Sequence, residues 1–451
     1  MTKNRIFYIF MHIIFLLFLF FLSTIAKDKE TKKFTVEHFP IGTQSAPQNS
    51  EITLTLIQRF QQYNWSSKNS NNKNDKLDKN IQSPKSAKFS LDGKKLYIQS
   101  LERKETPVYS TETFEKLNVI KHKFTEKDSS LFQNQITVFD YDYKYRTSKF
   151  NIFKGSPVEC CLSHNGKYLW VTYYKRNYDK NAVNPSAVAI IDTQTDSIVR
   201  VMPTGPLPKM IACSPDNKWI AITHWGDNTI GLININSDNV NNFQYTKHIV
   251  VDYQLKLNFS PEEKIDRDSA CGLCLRGTVF TPDSKYLLVG RMGGGGISVY
   301  DMINQQFLGT VFGMLNNIRH LVIQNNELYI SSNGGGTVQK TNLQNFLQSV
   351  LTSKKKIISY SDWKSAKVGY GVRTIEVTKS GKYIFACVNG ENKISIIRSS
   401  DMKVIAEIGA DSFPVGMALS PDESLLTVTS QGKPEVGGGN SVMIYKIEYQ
   451  K

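Results

Sequence analysis

Residues 211–222 read IACSPDNKWIAI: a short apolar strand ending in a hydroxyl residue, Ser214, then a Pro-Asp-Asn turn, then a second apolar strand. The phrase recurs along the chain. Residues 87–98 read AKFSLDGKKLYI, 159–171 ECCLSHNGKYLWV, 278–289 TVFTPDSKYLLV, 321–330 LVIQNNELYI, 375–386 IEVTKSGKYIFA and 417–428 MALSPDESLLTV. The anchors at the end of each first strand are Ser90, Ser163, Ser214, Thr281, Gln324, Thr378 and Ser420, which makes seven units. Successive anchors lie 73, 51, 67, 43, 54 and 42 residues apart. The shortest intervals match one four-stranded propeller blade. The longer ones are expected to hold polar surface insertions, over 123–154 and 237–268.

Third strands follow, such as 187–192, 229–233, 297–301 and 394–397, and a fourth at 404–408, all rich in β-branched residues and separated by Gly, Asn and Asp. No helical period of useful length is read in the repeat region. A blade buries its faces only against neighbouring blades, so seven units in an open row would leave two apolar ends, and closing into a ring removes both. The expected fold is all-β, a seven-bladed β-propeller. The last unit stops after its third strand, 441–445, and the free strand 51–57 is expected to complete it and close the ring. Residues 61–84 are poor in apolar side chains and read as a flexible link.

The N-terminus has the form of an export signal. Lys3 and Arg5 precede an apolar run from Ile6 to Leu22, and Thr24 and Ala26 are small residues at a cleavage point. The expected organisation is a signal peptide, or a retained signal anchor, over 1–26; closing strand and low-complexity linker over 27–84; and the propeller over 85–451. An extracytoplasmic location follows, periplasmic or secreted, with membrane contact only if the N-terminal segment is kept. The chain of 451 residues carries 55 Lys and Arg against 40 Asp and Glu, a net charge of +15. That balance favours acidic partners, or reflects a Lys- and Asn-rich composition. Cys271-Gly-Leu-Cys274 lies in a loop and is a candidate disulfide. Cys160, Cys161, Cys213 and Cys387 lie in apolar strand runs, where buried free thiols are expected. A lone C-x-x-C without a second pair or a nearby His does not make a zinc site.

The units AITHWGDNTIGLININ (221–236) and FACVNGENKISIIRSSDMKVIAEIGADSFPVGMALSPDESLL (385–426) resemble the YVTN-repeat propeller family, which includes the YncE-like envelope proteins. The likeness covers roughly residues 85–447. It implies a seven-bladed ring, an extracytoplasmic place and a binding or structural role. The signature is frayed here: the fifth unit lacks Ser-Pro-Asp, and His224 is read at a family Asn position.

Aligned on their anchors, the units show one column that is not apolar. Five residues before each anchor stand Lys85, Val158, Lys209, Arg276, Arg319, Arg373 and Val415. The position begins the innermost strand, so the ring gathers these side chains at one mouth of the central channel. As an anion site they would hold phosphate, carboxylate or sulfate. Alternatively each one bonds a backbone carbonyl of the next blade and only ties blades together. Loops on the same face add His224, Trp225 and Arg291 as candidate contacts, and His320 stands beside Arg319. Expected partners are an anionic small molecule, a glycan or an acidic protein face. Nucleic acid, stacking on Trp225, Tyr173 and Tyr174, is a weaker alternative. No cofactor, metal or catalytic set is read. The rival reading is a lactonase-like hydrolase, but the inner strands offer only Glu159 and Glu376 as acids, at different offsets from their anchors, and no G-x-S-x-G, H-E-x-x-H or P-loop occurs.

Overall fold

The computed structural model describes residues 39–48, 50–62, 72–132, 150–257, 263, 265–432 and 439–450. Residues 1–26, read above as an export signal, lie outside them. Seven sheets with antiparallel cores make up the chain, two of them extended by a short parallel strand, and the innermost strand of each leads into a repeat anchor. These first strands are Pro84–Phe89, Gly155–Ser163, Pro208–Cys213, Leu275–Phe280, Ile318–Gln324, Val372–Val377 and Pro414–Leu419, innermost in blades 1 to 7. Each packs beside the next, and Pro414–Leu419 packs on Pro84–Phe89, so the seven form a circle.

The anchor hydroxyl explains the turn that follows it. Ser214 Oγ accepts from Trp219 N at 2.9 Å and donates to Asp216 Oδ1 at 2.7 Å. Thr281 brackets its turn with Tyr286 N and Asp283 in the same way, as do Ser90 and Ser420 with their own partners. A side chain that satisfies two groups of a tight turn is what Ser and Thr supply and an apolar residue cannot. Asn217 at the turn's end has φ 54°, in the left-handed region that Asn tolerates.

The core lies between blades. Trp170 and Ile190 of blade 2 pack on Ile220, Ile222 and Phe243 of blade 3. Phe89 and Ile98 of blade 1 pack on Ala418, Val442 and Ile444 of blade 7. Every junction between neighbouring blades carries such a cluster, so stability is spread round the circle. The seventh sheet runs Pro414–Leu419, Leu425–Ser430, Ser441–Tyr449, Ile52–Gln61 and Asp75–Leu77. Ile52–Gln61 pairs antiparallel with Ser441–Tyr449, from Ile52 opposite Tyr449 to Gln61 opposite Ser441. Arg59, fully buried, donates to Asp75 at 3.0 Å, to Asp411 at 3.1 Å and to the Phe39 carbonyl at 2.6 Å.

Three elements differ from the sequence expectation. A helix, Leu343–Leu351, is inserted in blade 5 and buries Leu343, Phe346 and Val350. Their 3.6-residue spacing was present in the sequence but spans under three turns. The interval 237–268 is not all loop, because Gln244–Val250 is the fourth strand of blade 3, burying Tyr245 and Ile249. The link 61–84 contains the short strand Asp75–Leu77, while 63–71 and 133–149 lie outside the described residues.

Candidate anion site at the channel mouth

Every innermost strand breaks register with its neighbour at the same place, just after it begins. Pairing is interrupted between Pro84 and Ala87, Pro157 and Cys160, Pro208 and Met210, Leu275 and Thr278, Ile318 and His320, Val372 and Ile375, and Pro414 and Gly416. The skipped residues include Lys85, Val158, Lys209, Arg276, Arg319, Arg373 and Val415. A bulge leaves its extra residue outside the ladder and re-aims the side chain. Here it turns five cations into the channel, each partly open to solvent, while Val158 and Val415 are buried.

The five act on one another. Burial, then the charges of Arg373, Lys209, Arg276 and Arg319, pull the Lys85 ammonium well below the usual lysine range. Burial brings Lys209 down to about 8 even though Asp268 opposes the shift. Arg319 is lowered well below the usual arginine range by burial, Arg373 and Arg276. Burial and Arg276 bring Arg373 to about 10.

Their partners differ. Arg276 forms an ion pair with Glu159 at 2.6 Å and donates to the Lys209 carbonyl at 2.5 Å. It is the one cation of the five that makes the blade-tying backbone contact among the described residues. Lys209 pairs with Asp268 and lies 4.0 Å over the Trp225 ring and 5.3 Å over Tyr174. Lys85 donates to Gln431 Oε1 at 2.8 Å. Arg319 meets the Met292 sulfur at 3.5 Å, and Arg373 lies 4.9 Å over the Phe413 ring.

His320 lines the channel beside Arg319, and burial holds it at about 4, so it is neutral at pH 7. Its Nδ1 accepts from Ile375 N at 3.4 Å, which places the ring proton on Nε2. Glu376 faces the channel in the same layer as Lys88, nearer the anchor turns, and burial raises its carboxyl to about 7.

Three expected contacts are placed elsewhere. His224 is completely buried, between Thr229 Oγ1 at 2.8 Å and the Gly205 N–H at 3.1 Å, so it touches nothing in the channel. Arg291 is committed to Asp252 at 2.9 Å and is buried there. Tyr173 is also buried, against His122, and presents no stacking face. Strand register gives Trp225, not His224, the position in its blade that Asn333 and Asn389 hold in theirs. All three reach the following blade: Trp225 Nε1 donates to the Asp268 carbonyl at 2.9 Å, Asn333 to Val372 at 2.9 Å and Asn389 to Pro414 at 2.7 Å. Cys271 and Cys274 are joined by a disulfide in the loop that also carries Asp268. The glycines after Met292 serve close packing: a Cβ on Gly293 would sit 2.0 Å from the Gly272 carbonyl oxygen.

Sequence reasoning missed Asp268, Gln431 and Met292. Asp268 sits in a non-repeating loop and offers no column to align. Gln431 and Met292 do form a column with Trp225, Asn333 and Asn389, one residue past each second strand, but it mixes chemistries. Among the described residues no group of three or more His, Cys, Asp or Glu is arranged to hold a metal ion.

The sequence profile of the family described as "Lactonase, 7-bladed beta-propeller" matches residues 162–438. Antigen Lp49 of Leptospira interrogans serogroup Icterohaemorrhagiae serovar copenhageni (strain Fiocruz L1-130) is 28% identical over 173 residues. That alignment covers 33% of this chain and 38% of the relative. Among solved structures, Kuenenia stuttgartiensis hydrazine synthase superposes with a TM-score of 0.56 at 12% identity, over 85% of this chain and 100% of that one. The β-propeller domain of Myceliophteria thermophila Cps50 (Swd1) gives 0.53 at 12% identity, over 81% and 96%. At such identities the likeness is one of fold.

Proposed function

The chain belongs to the lactonase, seven-bladed β-propeller family, and from that premise we propose that it binds a small organic anion at the mouth of its central channel. One observation carries the reading. Five cationic side chains converge on the mouth, and only two carboxylates, Glu159 and Asp268, pair with them among the described residues. At about 10 Å each pair of unit charges in water repels by about 0.4 kcal/mol before screening, and more where water is scarce. A bound anion relieves that repulsion and removes the part of the cations' lowered proton affinity that comes from it. Tyr174, Trp225, Met292 and Gln431 lie directly against these cations, and such flanking side chains favour a small ligand over a flat acidic surface or a polymer.

A thermal-shift series with citrate, inorganic phosphate and acetate tests the proposal, on the wild type and on a variant with Arg276, Arg319 and Arg373 changed to Ala. Stabilisation of the wild type by a multivalent anion, lost in the variant, is expected. Equal stabilisation of both proteins would refute the site. An extracytoplasmic location belongs to the same proposal and rests on residues 1–26 alone. N-terminal sequencing of the exported chain tests it, and an intact Met1 on a cytoplasmic protein would overturn it.

A second reading, hydrolysis of an anionic lactone, is favoured by Glu159 and His320 standing in the same mouth. Glu159 would take a proton from water as its oxygen bonds to the lactone carbonyl carbon. Arg276 and the Nε2–H of His320 would stabilise the oxyanion. The ring C–O bond then breaks, and the proton passes to the leaving alkoxide. Glu159→Gln separates the readings. Loss of turnover on a lactone panel with anion binding retained supports hydrolysis, and absence of turnover in the wild type removes it.

A further inference from the structure

Resting on the anion-binding reading, we infer that the ligand lies off the channel axis, against blades 5, 6, 7 and 1, and is a small tricarboxylate. The five cations divide by what already neutralises them. Lys209 and Arg276, on adjacent blades 3 and 4, hold Asp268 and Glu159. Arg319, Arg373 and Lys85, on blades 5, 6 and 1, have no carboxylate in ion-pair contact among the described residues. Their contacts are a thioether, an aromatic face and a neutral amide. Arg373 Nε is buried and makes no hydrogen bond. The unsatisfied charge is therefore an arc on one side of the mouth.

Blade 7 lies inside that arc, and its residue at the cation position is Val415, apolar and buried. The chemistry of the arc is two planar forks, one point charge and an apolar floor between them. An arginine fork matches the two oxygens of a carboxylate, and an ammonium meets a third group without a directional demand. A carbon skeleton suits Val415 and the Phe413 ring better than a bare inorganic ion does. Three separate carboxylates on a short chain satisfy each element once. Burial, and after it the neighbouring cations, lowers both Lys85 and Arg319, which agrees with a site that takes up negative charge.

Titration calorimetry at pH 7 and constant ionic strength tests this, with tricarballylate, glutarate, acetate and inorganic phosphate as probes. Tricarballylate is expected to bind at least tenfold more tightly than glutarate or phosphate, with acetate too weak to measure. Arg319→Gln, Arg373→Gln and Lys85→Met should each weaken tricarballylate at least tenfold. The charge-neutral double variant Lys209→Met/Asp268→Asn, on the paired side of the mouth, should weaken tricarballylate clearly less than Arg319→Gln does. Arg373→Lys keeps the charge and loses the fork, so it should still cost several-fold, and its unliganded melting curve shows that it folds. If the neutral double variant loses as much as Arg319→Gln, the off-axis placement falls while anion binding stands. If phosphate or glutarate binds as tightly as tricarballylate, the ligand class falls. If the wild type binds no anion, both readings fall together.

Discussion

Replacing Arg59 by Met tests whether Ile52–Gln61 holds the seventh sheet to the circle. Arg59 is fully buried and bridges Asp75 and Asp411, at 3.0 and 3.1 Å. Asp411 sits in the loop before Pro414–Leu419 and also accepts from Ser441 Oγ at 2.6 Å. The guanidinium thus joins the N-terminal strand, its short parallel neighbour and the blade 6–7 connection. Methionine fills much of the volume but strands two carboxylates in the interior. Breaking a buried pair from one side costs about 3–5 kcal/mol, mostly through the uncompensated charge left behind. For a chain of this size that lowers the urea midpoint by roughly 1 M. Hydrogen exchange should localise the loss to 52–61 and 441–449. Changing Asp75 and Asp411 to Asn as well removes the stranded charges and should recover more than half of the loss. An Arg59→Met protein with an unchanged midpoint, or a triple variant weaker than the single one, would refute the reasoning.

Glu376 provides a pH test. Its carboxyl is raised from 4.5 to about 7, so between those values the folded protein holds a proton that the unfolded chain has released. Stability therefore falls as pH climbs from about 4.5 to 7 and stays low above. Glu376→Gln should raise the free energy of unfolding at pH 8, by an amount on the order of 1–3 kcal/mol, and leave it unchanged at pH 4. A gain at pH 4 as large as at pH 8 would contradict the shift. Gly416→Ala places a Cβ 2.0 Å from the Lys85 carbonyl oxygen and 2.7 Å from Thr429 Oγ1, at the junction of blades 7 and 1. A loss of about 1–3 kcal/mol in chemical denaturation is expected, with weaker anion binding because Lys85 moves; a neutral result would show slack at the junction. Anion binding itself should weaken as pH rises from 7 to 10. Burial and then its cationic neighbours lower Lys85, and burial brings Arg373 to about 10, so both shed charge at lower pH than a free lysine or arginine, and a flat affinity profile at constant ionic strength would argue against both as contacts.

The division between local and distant information is visible residue by residue. Seven hydroxyl-or-amide anchors, each followed by a turn and an apolar strand, are local patterns, and the structure keeps all seven first strands where the sequence put them. The cation column was likewise legible, because each member stands at a fixed offset from its own anchor. What the column does not show is the bulge that aims it, since register depends on two strands together. Nor could it separate His224 from Trp225: one residue of register decides which bonds to Thr229 and Gly205 and which reaches the next blade. The helix Leu343–Leu351 escaped because it lies in an insertion that no repeat copies, and the strand Gln244–Val250 because it is a mostly polar outer strand with only Tyr245 and Ile249 buried.

Only the folded circle decides which cations are already neutralised. Asp268 is 59 residues from Lys209, Glu159 is 117 from Arg276 and Gln431 is 346 from Lys85. The sequence by itself determined how many blades there are and that basic residues recur at one position in five of them. Tertiary structure determined that two of those charges form ion pairs and that, among the described residues, three do not. A repeat specifies contacts within a blade, whereas Coulomb pairing depends on distances across the mouth, which exist only once the seven sheets face a common centre.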